Sequence, residues 1–443
     1  MEILIKVVQL ILSLSILIIL HELGHFIPAK LFKTRVERFF LFFDPWFALF
    51  KKRIGSTVYG IGWLPLGGYV KISGMIDESL DTKQIKRPPQ PWKFRSKPAW
   101  QRLIIMLGGV VVNALLAIVI FSWLLFQYGE TYLPVKNMKY GIAVNAIGSA
   151  LGLENGDIIR SVDGKEIERF EELPKAIVLG QSINLERNEK NLEISLRPEQ
   201  KKSLFDQKTP GFFLSARAPA IVEEVIKQSG AEKAGLKKGD KIIGIDSQPT
   251  LFTDQIFETI PEHKNGNVML SINRDGDLYQ KKVEVDENGH IGMRFRDITK
   301  MPEIFQLKNK KYSLLRSIPA GAKEAWESLN TQLSLFKQIF NPKTNAYKQV
   351  GSFFSITKAF SPYWNWKLFW TITATLSIWL AFLNLLPIPA LDGGYVLFTL
   401  TEMITGKKPG EKFMERAITA GFIFLAILMI IILSWDTFKT FFS

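Results

Sequence analysis

The sequence predicts a polytopic α-helical membrane protein: four transmembrane helices, a membrane-associated β-hairpin and two β-rich domains. Three observations carry this. Four apolar runs each approach the ~20 residues that a bilayer core demands. A Gly-rich stretch of strand-like composition lies between the first two runs. A repeated turn–strand pattern lies between the second and third. Of 443 residues, 47% are hydrophobic, and 56 Lys+Arg against 42 Asp+Glu give a net charge of +14. That balance suits either a nucleic-acid binder or a membrane protein with positive cytoplasmic loops. The apolar runs select the second, with the lipid bilayer as a partner and no nucleic acid. Cysteine is absent, which excludes a disulfide framework and a thiolate metal site.

The first run, Val7–Leu20, is apolar apart from Gln9, Ser13 and Ser15 and continues helically to about Phe32. Lys6 before it resembles a signal-peptide flank. No small-x-small cleavage site follows, so the run reads as a retained span. The other spans are Leu103–Phe126, Phe369–Leu386 and Ala417–Trp435. Basic residues crowd the connection between the first two, among them Lys51, Lys52, Arg53, Lys83, Lys86 and Arg87. Lys407, Lys408, Lys412 and Arg416 mark the connection between the last two. Both connections are expected on the cytoplasmic side, with Gly129–Trp364 on the opposite side. The expected segments are a first span (1–32), a cytoplasmic or membrane-embedded hairpin region (33–98) and a second span (99–128). Two β domains (131–215 and 216–300) and an amphipathic connector (301–364) follow, then a third span (365–403) and a fourth with the C-terminus (404–443).

"LGLENGDIIRSVDG" at Leu151–Gly164 aligns with "AGLKKGDKIIGIDS" at Ala234–Ser247 at a constant offset. A Gly-Asp turn, an alternating apolar strand and an Asp turn make hairpin chemistry. The shared "GLxxGDxI" core resembles PDZ domains, so two in tandem are expected. From Glu303 to Phe340, apolar Leu315, Ile318, Ala322, Ala325 and Leu329 recur at helical spacing. Pro319 is expected to kink or restart that helix.

Polar residues inside a span are costly and usually line a functional cavity. The first span ends in "HELGH". His21 and His25 stand at i, i+4 on one helix face, where two imidazoles can bind one Zn²⁺. Glu22 beside the first can take a proton from bound water, the H-E-x-x-H arrangement of a metalloprotease. A catalytic zinc needs a third protein ligand. The remaining histidines, His263 and His290, fall in the β domains. A carboxylate from another span is therefore expected. Asp392 in "NLLPIPALDGG" is the leading candidate, because Pro387 and Pro389 interrupt the helix before it. Glu402 is the alternative. Gly108, Gly109 and Asn113 in the second span read as helix-packing residues with an interhelical hydrogen bond, and carry no catalytic assignment.

"VYGIGWLPLGGYVKISG" mixes Val58, Ile61, Leu64, Leu66, Val70 and Ile72 with Gly60, Gly62, Gly67 and Gly68. That suits a bent hairpin, whose free edge in a membrane needs a partner strand. An extended substrate can supply it by strand addition; otherwise the hairpin packs only on the enzyme's own loops. The aromatic "FFLFFDPWF" (Phe39–Phe47) reads as an interface-lying piece.

HELGH in the first span with N-x-x-P-x-P-x-L-D-G in the third resembles the site-2 protease family. The tandem PDZ pattern narrows the likeness to the regulator of sigma-E protease type. "GWLPLGGYVKISG" (Gly62–Gly74) and "FRSKPAWQR" (Phe94–Arg102) add to it. The resemblance implies His21, His25 and Asp392 as zinc ligands and Glu22 as catalytic acid/base. It places Asn384, Pro387, Gly60, Gly62, Gly67 and Gly68 at substrate binding. It also implies a bacterial inner-membrane protease with its PDZ domains on the periplasmic side. The implied substrates are single-span proteins: anti-sigma factors trimmed by an upstream first-cut protease, and remnant signal peptides. The PDZ pair is expected to exclude substrates that keep a folded far-side domain; capture of new C-termini is the alternative. Two departures stand out. The second span reads "LGGVVVN" where relatives often carry Gly-Pro, and "VGSFFSI" (Val350–Ile356) replaces a Gly-Pro-Ile-Ser-Ile-like element. Two other readings compete, a non-enzymatic PDZ scaffold and a metal-ion transporter. The transporter predicts polar residues along several spans, and the fourth span has none between Ala420 and Leu433.

Overall fold

The computed structural model describes residues 2–65, 67–75, 90–205, 213–341 and 353–441. Leu66, Lys83, Lys86, Arg87 and residues 350–352 of the VGSFFSI element lie outside the described residues. The chain divides into two compact units. One comprises Met1–Gly129, Lys311–Phe336 and Val350–Ser443, the other Glu130–Lys310 and Lys337–Gln349.

The first unit opens with α1 (Glu2–Leu31), then β1 (Val36–Leu41), β2 (Phe43–Ile54), β3 (Thr57–Leu64) and β4 (Tyr69–Ile72), and then α2 (Ala99–Tyr128). The second unit begins with β5 (Glu130–Tyr132), β6 (Ile142–Val144), α3 (Ala146–Ala150), β7 (Ile158–Val162), α4 (Leu173–Leu179), β8 (Ser182–Arg187), β9 (Lys190–Ser195), α5 (Pro198–Phe205) and β10 (Leu214–Ala216). It continues with β11 (Val222–Val225), α6 (Gly230–Lys233), β12 (Lys241–Ile245), β13 (Gln248–Pro249), α7 (Thr253–Thr259), β14 (Asn267–Arg274), β15 (Asp277–Glu284), β16 (Met293–Phe295) and β17 (Lys308–Lys310). The chain then forms α8 (Leu314–Ile339), α9 (Phe353–Ala359), α10 (Trp366–Leu385), α11 (Asp392–Thr405) and α12 (Glu411–Phe441).

Among the described residues, four helices are long and apolar enough to cross a membrane: α1, α2, α10 and the Lys412–Thr437 part of α12. Large apolar side chains such as Ile423, Ile427, Ile430 and Ile431 of α12 stay exposed, as lipid-facing residues do. α1 and α2 meet backbone to backbone. A β-carbon on Gly24 would stand 2.4 Å from Gly108 O, and one on Gly108 would stand 1.9 Å from Gly24 O. Only glycine at both positions permits that approach.

The strand region corrects the expected hairpin. β3 and β4 are not neighbours: the sheet runs β2-β3-β1-β4. β1 lies between them, parallel to β3 (Phe40↔Gly60) and antiparallel to β4 (Phe39↔Val70). The hairpin that does form is β2–β3, turning at Gly55 with φ 59°. β4 is therefore one edge of a four-stranded sheet and β2 the other. Within the aromatic stretch, Trp46 is 91% exposed and stacks on Trp63 with ring centroids 6.2 Å apart.

The connector also differs from expectation. Its helix starts at Leu314, because Lys308–Lys310 pairs as a strand with β5. Met301 and Phe305 before it are fully buried in the first β lobe. The helix runs through Pro319 without ending there. Gly321 lets it approach Ser122 of α2, where a β-carbon would meet Ser122 Oγ at 2.2 Å.

The second unit holds two hydrophobic cores, one around Leu133, Ile159, Ile183 and Phe213, the other around Ile242, Ile256, Leu270 and Val283. The sequence repeat is also a repeat of contacts. In the first lobe, buried Asp157 accepts from Arg187 Nε at 2.7 Å and from Glu154 N at 2.8 Å. In the second, buried Asp240 accepts from Arg274 Nε at 2.7 Å and from Lys237 N at 2.8 Å. Asp163 caps Gln181 N and Ser182 N, as Asp246 caps Met269 N. The arginine thus anchors each Gly-Asp turn to the strand across the lobe.

Removing the arginine would leave a buried carboxylate unpaired, a loss of about 3 kcal/mol or more. Arg187→Ala should speed hydrogen exchange in β7–β9 and leave β12–β15 unchanged. Arg274→Ala should do the reverse. Uniform loosening of both lobes by either variant would contradict this anchoring role.

Candidate metal centre

α1 carries His21, Glu22 and His25 at its buried face, and all three are nearly inaccessible. Asp392 is the first residue of α11. Pro387 and Pro389 have no N–H to continue α10, so the chain leaves the helix after Leu385 and restarts at Asp392. Ala390 takes φ +87° in that break, a costly conformation for a residue with a β-carbon. The break turns the Asp392 carboxylate toward the two histidines. His21 Nε2 and His25 Nε2 are 3.2 Å apart, and each is 3.3 Å from Asp392 Oδ2.

Three electron-pair donors pointing at one another repel unless a cation lies among them. His25 donates Nδ1–H to Ile105 O at 2.8 Å, which leaves its Nε2 lone pair facing the other two donors. Asp392 Oδ2 is buried without a hydrogen-bond partner among the described residues. A tetrahedral zinc with bonds of about 2.0–2.2 Å separates its ligand atoms by about 3.3–3.6 Å. The His21–His25–Asp392 triangle has that size, and the donor set fits such a metal. Among the described residues these three form the one such His and carboxylate group.

A cavity of about 300 Å³ opens at this triangle. Glu22, Gly67, Gly68, Tyr69, Val70 and Asn384 line it along with the three donors. The Glu22 carboxylate accepts a hydrogen bond from the Val70 backbone, so β4 lies directly against the acid. Asn384 Nδ2 stands 3.3 Å from His21 Nε2. Burial pushes the Tyr69 phenol up to about 12. It stays protonated and donates to Asp44 Oδ1 at 2.8 Å while accepting from Arg38 Nη1 at 3.2 Å.

The remaining candidates separate from this group. Gly60 and Gly62 do not line the cavity; they serve the sheet, where a β-carbon on Gly62 would meet Phe43 O at 2.1 Å. Pro387 is likewise absent from the lining and acts through the helix break. Glu402 accepts from Arg102 Nη2 at 2.6 Å and lines a different cavity. Asn113, read from sequence as a packing residue with an interhelical hydrogen bond, has a histidine of α1 as its partner: its Nδ2 lies 3.0 Å from His21 Nδ1. Gly109 lies beneath both rings, where a β-carbon would stand 2.4 Å from His25 Nε2 and 2.6 Å from His21 Cε1. The signal for both was their spacing from Ile105: 105, 109 and 113 fall at i, i+4 and i+8 on one face of α2.

Residues 9–428 match the profile of peptidase family M50. The chain belongs to this family. It is an intramembrane metallopeptidase of the site-2 protease type, which sets aside the scaffold reading. It is similar to the regulator of sigma E protease of Haemophilus influenzae, 26% identical over 96% of this chain and 97% of that protein. It is similar at 28% identity to a Xylella fastidiosa protein named for zinc metalloprotease activity, over 95% of this chain and 96% of that one. A third relative is the regulator of sigma-E protease RseP of Escherichia coli, 26% identical over 95% of each chain. With four apolar helices in the described residues, this M50 peptidase is a multi-pass membrane protein.

Gly109→Val should push both imidazoles off the triangle. The purified variant should retain at least tenfold less metal, since ligand orientation is commonly worth 10–100-fold in affinity. Metal retention equal to the parent would show that the rings do not depend on this glycine.

Proposed function

We propose that the chain is a zinc endopeptidase that cuts transmembrane segments of single-span proteins, with His21, His25 and Asp392 holding Zn²⁺. The observation that carries this reading is the convergence of three ligand atoms beside Glu22, in a cavity bounded by the edge strand β4. The zinc would polarise the scissile carbonyl and acidify the attacking water. Glu22 takes the proton from that water at its carboxylate and returns it to the departing amide nitrogen. His21 and His25 would offer Nε2 to the metal, with their Nδ1 atoms facing Asn113 and Ile105 O.

A transmembrane substrate is helical, and its peptide bonds are shielded by the helix's own hydrogen bonds. Cleavage therefore needs a locally extended chain. β4 supplies the template: it stands at one end of the strand order, and Val70 on it meets Glu22. Gly67 and Gly68 line the cavity beside it, where a β-carbon would collide with the Phe43 ring or with Ile18 and Phe40 O. Asn384 holds the substrate backbone against β4, and Pro387 serves indirectly by fixing the break that presents Asn384 and Asp392. Gly60 and Gly62 belong to the support of this template.

The two β lobes are read as tandem PDZ domains, supported by the repeated Asp–Arg anchors under their Gly-Asp turns. The basic connections support a placement of these domains on the periplasmic side of a bacterial inner membrane. Similarity to proteins named as regulators of sigma-E protease supports anti-sigma factors as substrates, after an upstream protease has trimmed them. Remnant signal peptides share the required form.

Two results test this reading. Glu22→Gln should keep zinc yet cleave slower by a factor on the order of 10² or more, while His21→Ala and Asp392→Ala should lose zinc. Full zinc retention by Asp392→Ala would refute the ligand assignment. Substrates carrying Gly near the scissile bond should be cut faster than Ala-rich ones, by about fivefold per residue for ~1 kcal/mol of helix propensity. Rates indifferent to substrate helicity would remove β4 as the template.

A further inference from the structure

α2 contributes no ligand, yet it touches both histidines. Ile105 O accepts from His25 Nδ1, Gly109 leaves room for the rings, and the Asn113 amide meets His21 Nδ1 at 3.0 Å. Asn113 is completely buried, and its backbone carbonyl is pinned by Ser377 Oγ of α10 at 2.8 Å. Its amide is therefore held against the ring with little freedom beyond exchanging its two ends.

Those two ends are chemically opposite. As placed, Nδ2 faces His21 Nδ1, and Asn113 Oδ1 is buried without a partner among the described residues. An N–H donating to Nδ1 requires the tautomer that carries its proton on Nε2. That tautomer has no lone pair to offer at the triangle. Ligation from Nε2 requires the opposite tautomer, with Nδ1 protonated and needing an acceptor. Oxygen and nitrogen of an amide differ little in shape, so their assignment follows from the hydrogen bonds they must make. Turning the amide end for end puts Oδ1, the unpartnered acceptor, against Nδ1–H.

We propose that Asn113 is a positioning residue for the metal centre: its Oδ1 accepts from His21 Nδ1–H and fixes the tautomer that binds through Nε2. His21 and His25 are then held alike, each by an oxygen of α2, one from a side chain and one from the backbone. The inference rests on the ligand assignment proposed above.

The test is zinc affinity of the purified full chain, measured by chelator competition, for Asn113→Leu and Asn113→Asp. Leu keeps size without an acceptor and should weaken zinc binding 10–100-fold. Asp keeps the acceptor and should stay within about threefold of the parent, as expected when the oxygen-to-Nδ1–H bond survives. A second readout is ¹⁵N-histidine NMR of the zinc-loaded parent, tractable with four histidines in the chain. It should show His21 protonated at Nδ1, and that signal should change in Asn113→Leu. Parent-like affinity in a folded Asn113→Leu, or equal loss in Leu and Asp variants, would overturn the proposal. If His21→Ala and Asp392→Ala also retained zinc, the ligand assignment itself would have failed. If they lose zinc while Asn113→Leu does not, only the role of Asn113 is wrong.

Discussion

The close approach of α1 and α2 at Gly24 and Gly108 governs the geometry of the site. With a side chain at either position the helices would have to move apart by about 1 Å or more, because each missing β-carbon would collide with the other helix's carbonyl. At that separation α2 could not reach the histidines with Ile105 O and Asn113. Histidine is a flexible ligand with two usable nitrogens. What makes the pair on α1 convergent is the second helix, pressed close enough to hold each ring by the nitrogen that faces away from the triangle.

The break between α10 and α11 is the complementary constraint. A continuous helix from Trp366 would carry Asp392 along its own axis. Two prolines and a strained Ala390 turn the chain so that Asp392 opens a new helix at the site. A non-glycine residue at φ +87° persists only where its surroundings over-determine it. Here Gly421 of α12 packs against the loop, with no room for a β-carbon beside Pro389 O. The fourth membrane helix, which brings no polar residue to the triangle, thus supports the loop that does.

Much of this was legible in the sequence because the decisive signals are local. HELGH fixes two nitrogens by helical periodicity alone, and LPIPALDGG announces a helix break by proline chemistry. The Gly-Asp repeat survives as matched turns because each motif is contiguous. What was not legible is pairing between distant segments. The composition of Thr57–Ile72 speaks for strands and turns but cannot say that β1 slips between β3 and β4, since register depends on partners elsewhere in the chain. Lys308–Lys310 has no strand-like composition, and pairing with β5 makes it a strand. Arg187 and Arg274 lie outside the matched repeat, so their shared role appears only in three dimensions. Asn113 had a helix-packing reading because an Asn in a span commonly bonds a neighbouring helix; which atom it bonds is a tertiary fact.

The polar residues scattered through the first span acquire a common explanation. Gln9 Nε2 donates to Ser361 O at 2.9 Å, and Ser13 Oγ pairs with Thr373 Oγ1 at 2.9 Å. Ser377 bonds Asn113 O, and Asn113 and Asn384 meet His21. These contacts form a seam along the α1, α2 and α10 contacts that ends at the triangle. A transporter would need such groups to face a passage and exchange partners with a moving ion. Here they face each other, at hydrogen-bonding distance, and Gln9, Ser13, Asn113, Thr373 and Ser377 are essentially inaccessible. Interhelical hydrogen bonds of this kind are worth roughly 0.6 kcal/mol each, enough in series to fix helix rotation and register. The seam therefore orients the helices around one reaction centre, and the polarity that interrupts the apolar spans is the means by which their rotation is set.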